Sequence, residues 1–371
     1  MCMIILDYIK NEKWFQGVRA EVSLLMFSLK VEGQRELMKK SYGIDFIECL
    51  LCPSKKNILI RIFNSTQAKE FHSYSLKQIK KDENIIKVFL KKDKLLWKEI
   101  ILLCNKLKES CKKNDSGNAK DLFVEICEKY KEYGVHFFVL FSLGMKLTEV
   151  GAKGKSLLKM HDKWRNSVVF GEEKLGEAIW YFLQFYLGVK NPKDFMGYLT
   201  YEELLKSLGD KKGVNKLISK RKKDDYIFLG LRKKSEVIDD VRTIEDVSTH
   251  FNELFEKKVI NDLIEGRVTY ASDEIINGEV VLVKNKEELK GNYKGKILVA
   301  IQTTPHFVPY LNGVKAIITD EGGVTSHAAI ISREFKIPAI VGTQIATKVL
   351  KTGDIVEITF KEGKVKKIDK K

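Results

Sequence analysis

The spacing of apolar residues divides the chain into three regions. In the first, residues 1–95, short strand-like runs such as 57–63 alternate with amphipathic stretches, which predicts a small α/β accessory domain. Over 96–255 apolar residues return every three or four positions, for example in 96–107 and 174–189. That period is typical of amphipathic helices, so a mainly helical linker domain is predicted.

The third region, 266–371, is built from short β-branched runs that recur at regular intervals, beginning at Gly278, Lys296 and Val314. One helix is predicted among them, over 326–335. Strands interleaved with few helices are typical of a compact α/β domain of about 100 residues. The predicted fold class is therefore a C-terminal α/β domain, preceded by a mainly helical region and a small N-terminal α/β unit.

The charge of the chain does not by itself predict nucleic-acid binding. The formal net charge is +16 over 371 residues, but the basic excess is mostly lysine and is spread along the sequence. Nucleic-acid sites concentrate basic residues and favour arginine, whose planar fork recognises phosphate and guanine. The basic run 220–223 is interpreted as a solvated face, with a phosphate or an acidic partner as the alternative.

Cysteine usage favours a reducing, cytoplasmic setting. The six cysteines lie in about the first third of the chain, and their spacing does not match a secreted disulfide scaffold. Cys49 and Cys52 form a CxxC pair, which suits half of a zinc site, thiol exchange, or two core residues of a buried strand. The leucines between them favour the strand. The most apolar later stretch, 135–145, is far shorter than the roughly 20 residues that span a bilayer, so no membrane partner is expected.

The candidate chemistry lies just after a predicted buried strand that ends at Asp320. Gly322 and Gly323 follow, and they are predicted to form a tight turn that only glycine tolerates. Thr325 and Ser326 come next and are good helix-capping residues, so a helix is predicted to begin there.

His327 falls in the first turn of that helix. Unpaired backbone N–H groups and the helix macrodipole favour negative charge at this position. A neutral imidazole is a competent nucleophile near pH 7, and the neighbouring hydroxyls are donors to phosphoryl oxygens. A histidine at a helix start is more often structural, so the interpretation depends on its combination with the glycine turn and the hydroxyls.

The ordered segment resembles the phosphohistidine, or swivelling, domain of phosphoenolpyruvate-utilising enzymes, among them phosphoenolpyruvate synthase, pyruvate phosphate dikinase, rifampicin phosphotransferase and enzyme I of the sugar phosphotransferase system. The matching residues are Gly322, Gly323, Thr325, Ser326, His327, Ala328, Ala329, Ser332, Arg333, Ile337, Pro338 and Ala339. Thr303, Thr304 and Pro305 match a Thr-x-Pro turn upstream, and the resemblance covers about 266–368. The last hairpin departs from the pattern, since relatives often carry an aspartate before its turn.

The resemblance implies a swivelling β/β/α domain over 266–371 in which His327 is the catalytic nucleophile and carries a phosphoryl group between two sites. The implied phosphate-binding residues are Gly322, Gly323, Thr325, Ser326 and Arg333. For Arg333 two roles stay open, pairing with the phosphate or bracing the helix. A carrier must move between sites, so a hinge is expected within 256–265.

The same resemblance implies a stand-alone family member. No ATP-grasp pattern is recognisable upstream, and no phosphoenolpyruvate-binding barrel is expected downstream. A separate ATP-grasp nucleotide-binding protein is the expected partner, with a small molecule as phosphoryl acceptor. The chain is expected to bind no cofactor of its own; Mg²⁺ with ATP or phosphoenolpyruvate would be provided through the partner.

Two alternatives stay open at this point. The chain is either a phosphotransferase component or a regulatory or binding module that keeps the fold without turnover. Asp320 and Glu321 are interpreted as capping or solvated groups rather than a magnesium pair. The alternative to a split enzyme is a nucleotide site hidden in 1–250 that uses Arg19, Arg165 or Arg221.

Overall fold

A computed structural model of the chain describes residues 2–20, 23–43, 45–54, 58–82, 84–147, 152–208, 211–255, 263–284, 288–324 and 326–368. They form two compact units, Met1–Phe251 and Asn252–Lys371. Most of the expected hinge, residues 256–262, and Thr325 of the candidate site lie outside the described ranges.

The N-terminal unit is mainly helical. Its helices are α1 Cys2–Asn11, α2 Leu24–Tyr42, α3 Ser65–Lys81, α4 Ile85–Lys112, α5 Ser116–Lys146, α6 Ala152–Leu187, α7 Pro192–Tyr198, α8 Tyr201–Ser207, α9 Lys211–Asp224 and α10 Val241–Phe255. Its strands are β1 Trp14–Ala20, β2 Cys49–Ser54, β3 Ile58–Asn64, β4 Ile227–Gly230 and β5 Ser235–Ile238. The long helices coincide with the stretches whose apolar residues return every three or four positions.

The strands of this unit form one antiparallel sheet in the order β1-β3-β2-β4-β5. Strand β2 pairs with β4, so residues of the first predicted domain and of the second complete a single sheet. Helix α4 runs without interruption through residue 95. Residues on both sides of the predicted division therefore belong to one compact unit.

The CxxC pair lies in β2, as the buried-strand interpretation predicts. Cys49 is buried, and so are Leu50 and Leu51. Burial raises the pKa of the Cys49 thiol to about 12, which disfavours the thiolate needed for metal binding or thiol exchange. Among the described residues no group of His, Cys, Asp and Glu side chains is arranged to hold a metal ion.

Thr200 and Glu203 have the three-residue spacing that predicts a capping box at the start of a helix, and the box is present at the start of α8. The Thr200 side chain accepts a hydrogen bond from the Glu203 backbone N–H, and the Glu203 side chain accepts one from the Thr200 N–H. Arg221 is buried and donates to both Glu203 carboxylate oxygens, at 2.8 and 2.7 Å, and to the Tyr198 carbonyl. The basic run 220–223 is thus not one solvated face, because Arg221 is part of the packing of α7, α8 and α9.

The C-terminal unit is a mixed sheet with short helices. Its strands are β6 Leu263–Glu265, β7 Arg267–Tyr270, β8 Ile276–Val283, β9 Ile297–Ala300, β10 Ala316–Thr319, β11 Ala339–Val341, β12 Ile355–Thr359 and β13 Lys364–Ile368. A 3-10 helix Pro305–Tyr310 and the α-helices α11 His327–Phe335 and α12 Ala346–Val349 connect them. The recurring β-branched runs are therefore strands, as predicted.

The sheet of this unit has the order β6-β13-β12-β8-β9-β10-β11-β7. The central pairs from β8 to β11 are parallel and the outer pairs are antiparallel. Its two end strands, β6 and β7, are consecutive in the chain and are separated only by Gly266. The ends of the sheet therefore meet, and the sheet curls almost into a barrel.

Alternate residues along the strands face two cores, as the two-residue period of a strand requires. Ile297 and Val299 of β9 lie in one cluster, together with residues of β8, β10 and β12. Leu298 and Ala300 face the other cluster, which includes Ala328 and residues of the 3-10 helix. Helix α11 is thereby held against the sheet beside the ends of the parallel strands.

None of the helices in the described part of the chain is both long enough and apolar enough to cross a membrane.

Candidate functional site

His327 is the first residue of α11, as the glycine-turn pattern predicts. The preceding residue, Ser326, is the N-cap, and its Oγ accepts a hydrogen bond from the Ala329 N–H at 3.3 Å. The first N–H groups of a helix have no partner inside it, so donors and the positive end of the macrodipole converge at the half-buried imidazole. The site suits an anionic group.

The His327 ring is oriented by a residue 24 positions away. Nδ1 lies 2.9 Å from Oγ1 of Thr303, which is buried in the turn that follows β9. When Nδ1 carries the proton it donates to Thr303, and Nε2 then holds the nucleophilic lone pair. The opposite tautomer reverses the donor and acceptor of this bond.

The matched Thr-x-Pro turn contains the hydroxyl that contacts the histidine. In the sequence Thr303 is only a flanking match, and the presence of a hydroxyl residue in that turn is the available signal for a contact with the histidine. Its neighbour Thr304 has a buried Oγ1 that forms no hydrogen bond to any described residue.

The two glycines before the helix differ in what they tolerate. Gly322 has φ +116°, and a Cβ there would lie 2.7 Å from Ser326 Oγ. The φ of Gly323 lies outside the left-handed range, and a Cβ there would meet nothing within 4 Å among the described residues. The prediction that only glycine fits is confirmed for Gly322. At Gly323 the described residues leave space for a side chain, so they do not require glycine there.

Arg333 makes the contact expected of a bracing residue. Its Nη1 donates to the Val324 carbonyl at 2.8 Å, which ties the body of α11 to the loop before it. Of the two roles left open by the sequence, this contact corresponds to bracing the helix. Pairing with a phosphate stays a prediction.

Asp320 acts as a structural acceptor. It is buried and accepts from Thr343 Oγ1 at 2.9 Å and from the Thr347 N–H at 3.1 Å, and it also accepts from the Thr347 hydroxyl. Both carboxylate oxygens are therefore engaged with the segment that leads into α12. This arrangement agrees with the interpretation of Asp320 as a capping group.

A cavity of about 490 Å³ opens beside the glycine turn. It is lined by Glu265, Gly266, Arg267, Gly322, Val341 and Gly342. Arg267, an exposed residue of β7, was not singled out from the sequence because no local pattern distinguishes it. The pairing of β7 with β11 sets Arg267 opposite Val341 and so brings it to the same cavity as Gly322.

The three arginines of the alternative nucleotide site belong to the N-terminal unit. Arg221 is engaged by Glu203 and Tyr198. Arg165 lies over the rings of Phe137 and Phe141, 5.5 and 4.9 Å from their centroids. The side chain of Arg19 is outside the described part of the chain. Arg221 and Arg165 are thus each packed into their own surroundings.

Comparison with known proteins gives a family for the C-terminal region. Residues 292–363 match the family model described as "PEP-utilising enzyme, mobile domain". The matched range contains Thr303, the glycine turn, His327 and Arg333.

Curated relatives match over the same region. A probable phosphoenolpyruvate synthase of Archaeoglobus fulgidus is 43% identical over 108 residues, which is 28% of this chain and 14% of that protein. A probable phosphoenolpyruvate synthase of Pyrococcus horikoshii is 50% identical over 97 residues, 26% of this chain and 12% of that one. The match thus spans only about an eighth of the length of these relatives.

Among solved structures, a solution structure of Enzyme I is 17% identical and covers 78% of this chain and 82% of its own, with a TM-score of 0.20. The assignment therefore depends on the sequence matches, which coincide with the helix start, the glycine turn and the curled sheet. Residues 292–363 of this chain thus match the mobile domain of the phosphoenolpyruvate-utilising enzymes.

Proposed function

We propose that the chain is a phosphotransferase component that carries a phosphoryl group on His327. The observation that supports this most directly is the placement of the imidazole at the first residue of α11, with Nδ1 engaged by Thr303. Because Nδ1 is engaged, Nε2 is the nitrogen to which the phosphoryl group is assigned.

In the proposed transfer the Nε2 lone pair attacks the phosphorus of the donor. A P–N bond forms while the P–O bond to the leaving oxygen breaks, and the electron pair departs with that oxygen. In the second transfer an acceptor hydroxyl oxygen attacks the phosphorus, the P–N bond breaks, and its electron pair returns to Nε2. The hydroxyl proton passes to a base or to water.

The residues around His327 are assigned to holding the phosphoryl oxygens. Backbone N–H groups of the first turn of α11 are the main donors, because they carry the positive end of the macrodipole. Thr325 is assigned a hydroxyl contact, Gly322 permits the sharp turn, and Gly323 leaves room for the anion. Arg333 is assigned the bracing role through Val324.

Donor and metal are assigned to a partner. The oxygens of Asp320 already accept hydrogen bonds from Thr343 and Thr347, which supports assigning the metal to a partner. We expect Mg²⁺ to accompany ATP or phosphoenolpyruvate on a separate nucleotide-binding protein, and the final acceptor to be a small molecule.

Labelling tests the proposal. The purified chain is incubated with cell extract and ³²P-labelled phosphoenolpyruvate or ATP, and the product is expected to be acid-labile and alkali-stable. His327→Ala is expected to abolish the label. His306→Ala is the matched control, because His306 is an exposed histidine of the same unit. Label that persists in His327→Ala contradicts the assignment.

The same experiment without extract tests the need for a partner. We expect no label from the isolated chain, since phosphoryl transfer depends on cationic groups that neutralise the transferring oxygens. Label from the isolated chain with Mg²⁺ and ATP would show a self-sufficient kinase. A chain that is never labelled under any condition would instead be the binding or regulatory module.

A further inference from the structure

The N-terminal unit contains a groove between α4 and α6 that the phosphohistidine chemistry does not use. Its volume is about 470 Å³, within the usual range for small-molecule sites. The apolar part of its lining includes Leu90, Trp97 and Ile101, and Asp93 and Trp164 lie beside them.

Three polar atoms in this lining are buried and have no hydrogen-bond partner among the described residues. They are Asp93 Oδ1, Trp97 Nε1 and Trp164 Nε1, on side chains that are only 3%, 9% and 5% exposed. Trp14 differs, because its buried Nε1 donates to the Ile9 carbonyl at 2.8 Å. The Trp164 N–H lies close enough to the Asp93 carboxyl to interact with it, and the Trp97 N–H interacts with Tyr133, but neither contact has the geometry of a hydrogen bond. Buried polar groups are nearly always satisfied by protein, ligand or water, so these three groups indicate an occupant of the groove.

The groove is already shaped without an occupant. A Cβ on Gly171 of α6 would lie 2.8 Å from the Trp97 ring, so only glycine lets that indole lie against the helix. The Trp97 ring also contacts Tyr133, with centroids 4.6 Å apart. The position of the Trp97 indole is thereby restrained by both α6 and Tyr133.

The unsatisfied groups define the chemistry of the occupant. Asp93 accepts a hydrogen bond, and the two indoles donate one each. A hydroxyl group does both, since it donates through O–H and accepts at oxygen. Burial raises the pKa of Asp93 to about 6, against a lowering by the nearby Trp164 N–H. An accepting carboxylate is thus the main form at neutral pH.

The exposed lysines that line the groove add a charge preference. Lys94, Lys163 and Lys174 line the same groove. They disfavour a cationic ligand and favour an anionic group on the ligand. The aromatic and aliphatic part of the lining suits an apolar body between the two ends.

We propose that this groove binds a small ligand that has a hydroxyl group, an apolar body and an anionic group. The hydroxyl lies between Asp93 and the indoles, and the anion lies among the lysines. This site is separate from the chemistry of His327 and does not depend on it.

The four tryptophans of the chain provide the test. The full chain with ¹⁵N-labelled tryptophan is titrated with 4-hydroxyphenylacetate, 4-hydroxybenzoate and 3-phenyllactate, each compared with its analogue that lacks the hydroxyl. We expect at least one hydroxylated probe to shift the indole signals of Trp97 and Trp164, with the signal of Trp14 unchanged. Its deoxy analogue should bind at least tenfold more weakly.

Variants separate a ligand site from a structural one. Asp93→Asn and Trp164→Phe are expected to weaken the responding probe at least tenfold, whereas Trp180→Phe, which changes a 37% exposed residue, leaves its binding unchanged. Asp93→Leu is expected to abolish binding and to raise the melting temperature, since it removes an unpaired buried carboxyl. No shift at Trp97 and Trp164 with any probe, equal binding of every pair, or a lowered melting temperature of Asp93→Leu overturns the proposal.

Discussion

The hydrogen bond between Thr303 and His327 joins the turn after β9 to the start of α11, which follows β10. It holds Nδ1 of the imidazole, and the proposed function assigns the phosphoryl group to the other ring nitrogen, Nε2. Such a residue acts through the histidine, so its removal should slow transfer without abolishing it. The rate of phosphorylation is therefore a more direct measure of Thr303 than the final yield.

We expect Thr303→Val to lower the initial rate of His327 labelling roughly five- to tenfold, because one neutral hydrogen bond contributes about 1 kcal/mol. Thr303→Ser should restore most of the rate, since it retains the hydroxyl. Thr304→Val is the matched control, because the buried Thr304 Oγ1 has no partner among the described residues. An unchanged rate in Thr303→Val would show that the contact does not position the ring.

A second residue-scale prediction concerns acid stability. His136 is fully buried, with Nε2 2.8 Å from the Phe89 carbonyl and Nδ1 3.1 Å from the Tyr42 hydroxyl. A carbonyl only accepts, so Nε2 carries the proton and Nδ1 accepts from Tyr42. Burial lowers the pKa of His136 from 6.5 to about 4.

The direction in which stability changes with pH follows from this lowered pKa. Between pH 6.5 and 4 the unfolded chain protonates His136 while the folded chain does not, so stability is fully present above pH 6.5 and is lost as pH falls to about 4. The loss from this residue approaches about 3 kcal/mol. Urea titrations followed by tryptophan fluorescence should show a shallower pH slope in His136→Gln. Parallel slopes in the two proteins would contradict the prediction.

At the scale of elements, the start of α11 depends on its glycine turn. Gly322 has a positive φ, and a side chain there would press on the helix cap Ser326, whereas a Cβ at Gly323 would meet no described residue within 4 Å. The turn and the cap are therefore one structural feature, although they are separated by three residues.

Gly322→Ala is expected to destabilise the C-terminal unit by about 1–3 kcal/mol, because it combines an unfavourable φ with a steric contact. Gly323→Ala should change stability by less than about 0.5 kcal/mol. Amide hydrogen exchange in β9 and β10 of the full chain measures the stability change caused by each variant. Equal protection in the two variants would show that the turn is not restricted at Gly322.

At the scale of the whole molecule, the two units have separate cores. The large cluster that includes Trp97 and Tyr133 is confined to the N-terminal unit. The clusters on the two faces of the curled sheet belong to the C-terminal unit. Units with their own cores are able to unfold separately.

We expect two unfolding transitions in calorimetry. All four tryptophans lie before residue 252, so tryptophan fluorescence reports only the N-terminal unit. Gly322→Ala should lower one calorimetric transition and leave the fluorescence midpoint in place. A single transition in which both signals shift together would show that the units unfold as one.

The sequence was sufficient for features that depend on neighbouring residues. The strands at the recurring β-branched runs, the helix that begins after Ser326 and the capping box at Thr200 were predicted, because capping groups and apolar periods lie within a few positions of one another. Strands β6 and β7 were not predicted. The family match of the C-terminal region was also accessible, since its motif is contiguous around His327.

Tertiary structure alone decided the contacts between distant segments. It brought Thr303 to His327, paired β2 with β4 across the predicted division of the N-terminal region, and placed Asp93 of α4 beside Trp164 of α6. Local periods predict which face of an element is apolar, but not which other element covers it. Contacts between residues far apart in the chain depend on how whole helices and strands pack around the two cores, and local sequence patterns do not determine that packing.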